Sequence, residues 1–68
     1  MNVKDVKILV EQIMVDSQEK DYEAAHSNED SLYRSLLTAI ACGSCEDPKK
    51  CAQEALKTQK FNFARWCA

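Results

Sequence analysis

The chain has 68 residues, 46% of them hydrophobic, with one Gly, one Pro and a net charge of −2. A chain of this length makes a single domain, residues 1–68, and buries only about 60% of the surface its unfolded form exposes, so its core needs support from disulfides, a metal, a partner subunit or close helix packing. Its composition excludes a disordered tail, its mild acidity argues against a nucleic-acid binder, and it holds no apolar run long enough to cross a bilayer.

The N-terminus alternates charged and apolar residues instead of presenting a basic segment followed by an apolar block, so no secretory leader is read there. A cytoplasmic chain with reduced thiols is expected. Charge is unevenly spread: residues 16–30 carry Asp16, Glu19, Asp21, Glu23, Glu29 and Asp30 against Lys20 alone, whereas residues 46–68 are net basic.

From Asn2 to about Ser17 the apolar residues Val3, Val6, Leu9, Val10, Ile13 and Met14 recur at i, i+3, i+4, i+7 spacing. This predicts a first helix with Asn2 as N-cap and Asp5 in the first turn. The β-branched residues from Val6 to Val10 favour a strand as the rival, but strict alternation fails at Leu9. Ile8 and Val15 project from the opposite side of this helix, either as scattered surface hydrophobes or as a strip that meets another chain.

Asp16 to Asp21 is polar and suits a connector. A second, long helix is predicted from Tyr22 to Cys42, capped by Asp21, with Tyr22, Ala25, Leu32, Tyr33, Leu36, Leu37 and Ile40 on its apolar face. Glu29 falls near the middle of that face and His26 at its edge. A helix starting after Ser27 is the alternative, since Ser27 to Asp30 resembles a capping box and would place Glu29 in a solvated first turn. Tyr22 and Ala25 hold the phase of Leu32, Leu36 and Ile40, which favours the longer helix.

Gly43 suits a left-handed C-terminal cap. Asp47-Pro48 then reads as N-cap and first helical residue of a third helix running to about Thr58, with Cys51, Ala52, Ala55 and Leu56 on its buried face. The ending holds Phe61, Phe63 and Trp66, apolar surface that is costly to leave in water, so it is expected to fold back onto the helices.

Two groups of residues have the chemistry to bind a metal. Cys42, Cys45, Cys51 and Cys67 place two ligands in a loop, one in the next helix and one in the tail, a set able to surround a tetrahedral zinc, although only Cys42 and Cys45 have the usual pair spacing. As plain thiols, Cys42 and Cys51 also serve as small buried hydrophobes. Thioredoxin-like chemistry would need a strand before the motif, and none is read there. Glu23, His26, Glu29 and Asp30 lie three and four residues apart on one helix, but no second cluster faces them, so capping, solvating and anchoring roles are expected.

Glu29 on an apolar face needs donors to remain charged. Arg65 and Trp66 in the tail and His26 one turn earlier can supply them, making His26, Glu29, Arg65 and Trp66 the expected structural anchor of the C-terminus. No nucleophile with its base and no phosphate-binding glycine loop is present in the sequence.

The stretch Ala25-His26-Ser27-Asn28-Glu29-Asp30-Ser31-Leu32-Tyr33 and the ending Phe63-Ala64-Arg65-Trp66-Cys67-Ala68 resemble a group of small proteins of unassigned function in bacteria and their phages. The resemblance implies a cytoplasmic or phage-encoded protein and brings no activity or ligand with it. The expectation is an all-α, three-helix domain with a packed aromatic tail, acting as a non-enzymatic interaction protein that forms a homo-oligomer through Ile8 and Val15 and binds a protein partner. It needs no cofactor, no nucleic acid and no membrane. The rival readings are a zinc-stabilised module using the four cysteines and, third, a metal-dependent activity at His26, Glu29 and Asp30.

Overall fold

The computed structural model describes residues 1–61, which form three α-helices and a closing 3₁₀ helix, with no strand among the described residues. The helices are α1 (Val3–Gln18), α2 (Tyr22–Ala41) and α3 (Pro48–Ala55), and the 3₁₀ helix is Leu56–Lys60. The all-α, three-helix expectation holds. The expected packing of Phe63, Arg65, Trp66 and Cys67 lies outside the described residues.

Each helix begins where a short polar side chain supplies an acceptor for the free N–H groups of the first turn. Asn2 Oδ1 accepts from Asp5 N at 2.9 Å while Asp5 Oδ2 accepts from Asn2 N at 3.2 Å, a reciprocal capping box. Asp21 Oδ1 accepts from Ala24 N, which fixes the start of α2 at Tyr22 and leaves Ser27 inside the helix. Asp47 caps α3 ahead of Pro48, but from a left-handed backbone (φ 53°) that aspartate tolerates better than most side chains.

The two long helices end alike. At α2, Gly43 takes φ +71°, its N–H donates to Ile40 O and that of Ser44 to Ala39 O. At α1 the same pair of bonds runs from Lys20 to Ser17 O and from Asp21 to Asp16 O, with Lys20 at φ 60° in the position where glycine would be free of strain. The third helix tightens at Ala55 into the 3₁₀ helix, two to three residues before the predicted end.

The core is built from Val6, Val10 and Ile13 of α1, Ala25, Leu32 and Leu36 of α2, and Cys51 and Ala55 of α3. Several residues of the predicted apolar faces lie outside it. Leu37 is 67% exposed and Leu56 60%, and Leu9, Met14, Tyr22 and Ile40 are also at the surface. The cause is the placement of α3, an eight-residue helix that packs chiefly on α1 and only lightly on α2. Among the described residues, that placement leaves the flank of α2 that carries Leu37 without a helix packed over it.

Met1 ties the far end of the bundle. Its amino nitrogen donates to Ser44 O at 2.9 Å and its carbonyl accepts from Glu46 N at 2.8 Å, so the α2–α3 loop is held against the start of α1.

Candidate functional site

The surface differs sharply between the two sides of α2. On the α1 side, Asp16 is buried and joins the helices: Oδ1 accepts from Gln12 Nε2 at 3.0 Å and Oδ2 from Asn28 Nδ2 at 2.7 Å. Sequence reading put Asp16 in the connector. It belongs to α1, where Gln12 on the same helix and Asn28 on the facing α2 supply two amide donors to its carboxylate. The notch beside it, about 120 Å³, is rimmed by Gln12, Asn28, Ser31 and Ser35 over Leu9 and Leu32.

On the α3 side lies an open groove of about 280 Å³, walled by Tyr33, Leu36 and Leu37 of α2, Ala52 and Ala55 of α3, and Leu56. Every atom facing it is apolar. The small side chains of Ala52 and Ala55 make the space, and Leu37 and Leu56 stand at its edges. One end is closed by polar contacts, where the Tyr33 hydroxyl pairs with Thr58 Oγ1 and accepts from Gln59 Nε2 at 2.9 Å. Sequence reading placed Leu37 and Leu56 in the core, and the groove was legible only as an excess of apolar residues over what eight residues of α3 can cover.

Ile8 and Val15 face solvent on the outer side of α1, with Ile8 58% exposed, as the helical projection requires. They form a separate strip, across the helix from the core residues Val6, Val10 and Ile13.

Glu29 is 3% exposed on the core face of α2 and is not without a partner. The late-starting helix that would have solvated it is thus excluded by the start of α2 at Tyr22. Of the expected anchor, His26 lies one turn earlier on α2 with Nε2 3.7 Å from Asp30 Oδ2, an ion pair when His26 is protonated, while Arg65 and Trp66 lie outside the described residues. A second buried carboxylate, Glu54, pairs along α3 with Lys57 Nζ at 2.9 and 3.1 Å.

The cysteines separate. Cys42 is exposed at the C-cap of α2, Cys45 is half-buried in the loop, and Cys51 is fully buried in the first turn of α3. Cys45 and Cys51 converge on one carbonyl: both thiols donate to Glu46 O, at 3.7 and 3.2 Å. Burial, and then the Cys45 thiol and the nearby Asp47 carboxylate, push the Cys51 thiol pKa up against the opposing pull of the Met1 amino group. The spacing singles out Cys42 with Cys45; folding brings Cys45 and Cys51 to the same carbonyl instead.

Among the described residues, no three His, Cys, Asp or Glu side chains are grouped to hold a metal ion. Cys67, the fourth member of the expected zinc set, lies outside them. No helix among the described residues is long and apolar enough to cross a membrane. Compared with known proteins, the chain matches no family model, no curated protein and no solved structure.

Proposed function

We propose that this chain is a small, non-enzymatic, cytoplasmic protein-interaction domain that pairs with a second copy of itself through the outer strip of α1. The reading is carried by apolar side chains that the core does not use, Ile8 above all, on a domain whose size gives it an independent need for a partner. Ile8 and Val15 are one heptad apart, the spacing at which two helices cross with a shallow angle and interdigitate. Lys4 and Glu11 share that face of α1 and offer opposite charges to an antiparallel copy.

Sedimentation over a micromolar concentration series tests the reading. The expected result is a monomer–dimer equilibrium with dimer predominant at the upper concentrations. A protein that stays monomeric throughout while fully helical would rule it out.

A further inference from the structure

We propose that Cys45 and Cys51 form an oxidisable dithiol, which a peroxide closes into a disulfide pinning the α2–α3 loop to the first turn of α3. Three features carry this. The two thiols share one acceptor, Glu46 O, which lies 3.7 Å from Cys45 Sγ and 3.2 Å from Cys51 Sγ, so the fold gathers them at one carbonyl across a six-residue separation. They differ in access, Cys45 being half-buried and Cys51 fully buried, which gives an attacking and a resolving sulfur. Finally, Cys45 lies in irregular backbone between Gly43 and the cap of α3, so the approach to disulfide geometry requires movement of a loop and not of a helix.

The chemistry runs in two steps. The Cys45 thiolate attacks one oxygen of hydrogen peroxide; the O–O bond breaks, hydroxide leaves and takes up a proton to become water, and Cys45 becomes a sulfenic acid. The Cys51 sulfur then attacks the Cys45 sulfur, the S–OH bond breaks, and the departing hydroxyl leaves with the Cys51 proton as a second water. Two thiols are oxidised to one disulfide and one peroxide is reduced to two waters.

Because Cys51 must give up its proton to act as nucleophile, and burial raises its thiol pKa, the second step should accelerate with pH beyond the range of an ordinary thiol. The first step leaves Cys51 untouched. A sulfenic acid on Cys45 should therefore be trappable by a carbon nucleophile such as dimedone at neutral pH and vanish faster as pH rises.

The test uses the full, reduced chain treated with hydrogen peroxide under native conditions and in urea, followed by intact mass and tryptic mapping. Lys49 and Lys50 lie between the two cysteines, so the disulfide joins two tryptic peptides; Cys42 shares the Cys45 peptide, and fragmentation of the linked pair together with the Cys42→Ser variant assigns the link to Cys45. The expected result is a loss of two hydrogens, a Cys45–Cys51 link, its reversal by dithiothreitol, and a closure rate at least about tenfold faster in the native chain than in urea, as prepositioned reactants require. Cys42→Ser, at an exposed position, should leave the link intact, and Cys45→Ser should abolish it. Equal rates in the native and unfolded chain would overturn the proposal. So would a link through Cys42 or Cys67, or oxygen added at Cys45 with no link.

Discussion

The two seams along α2 end in opposite states. Against α1, the seam is filled: Ile13, Leu32 and Val10 pack in the core, and where a carboxylate intrudes at Asp16 it is met by the amides of Gln12 and Asn28. Against α3, the seam is open among the described residues, and Leu36, Leu37 and Leu56 line an apolar groove. Hydrophobicity alone does not distinguish them. The filled seam has a partner helix of sixteen residues and the open one a helix of eight, so apolar surface on α2 exceeds the cover available on one side only.

Perturbations on the filled side should therefore cost stability, while charges placed at the exposed groove residues Leu37 and Leu56 should leave the fold intact. The largest loss is expected at Glu29, whose burial makes it dependent on its donors. We expect Glu29→Gln to cost about 3–5 kcal/mol, and Arg65→Met to cost a similar amount with strong coupling in a double-mutant cycle, if Arg65 is the donor that anchors the tail. Urea denaturation followed by circular dichroism reads both. Small, additive losses would separate Arg65 from Glu29.

Asp16→Ala comes next, at about 2–3 kcal/mol, because it leaves the Gln12 and Asn28 amides without their carboxylate acceptor at a part-buried seam. Thermal melts should show the loss, with Asp16→Asn keeping part of the stability by retaining one acceptor. A neutral Asp16→Ala would mean that water replaces the carboxylate and that the seam is not closed there.

The smallest effect has the opposite sign. Lys20 occupies a left-handed position at the end of α1 (φ 60°) that Gly43 fills at the end of α2 (φ 71°), so Lys20→Gly should stabilise by about 1 kcal/mol. The same change made on a right-handed helical residue would destabilise. A loss at Lys20 would show that the backbone there does not need the left-handed conformation.

Much of this architecture is written locally in the sequence. Asn2, Asp21 and Asp47 each combine a short acceptor with a following apolar period, and Gly43 is the single glycine at the single place a left-handed residue ends α2, so all three helix starts and the end of α2 follow from neighbouring residues. The end of α1 was harder to see because a lysine does glycine's work. Periodicity also put Glu29 and Ile8 on the correct faces, since a residue's direction from a helix depends only on its position in the repeat. What it does not encode is which neighbour covers a given face. Leu37 and Leu56 carry the same local signal as Leu32 and Leu36, and only the tertiary choice of α3 to lean on α1 exposes them. The convergence of Cys45 and Cys51 on Glu46 O was hidden for the same reason, being set by how the loop returns under Met1 and not by the spacing of a motif.

The central claim, that the outer strip of α1, left out of the core, serves self-association, is tested most directly by sedimentation equilibrium of two charge-inserting variants beside the wild type. Ile8→Glu/Val15→Glu places carboxylates on the outer strip of α1, and Leu37→Glu/Leu56→Glu places them at the edges of the groove. All four positions are exposed, so both variants should keep the wild-type circular dichroism. The account predicts that the α1 variant shifts to monomer at micromolar concentration, with its dimer dissociation constant raised at least about tenfold, while the groove variant still dimerises. A folded α1 variant that dimerises as tightly as the wild type would contradict it.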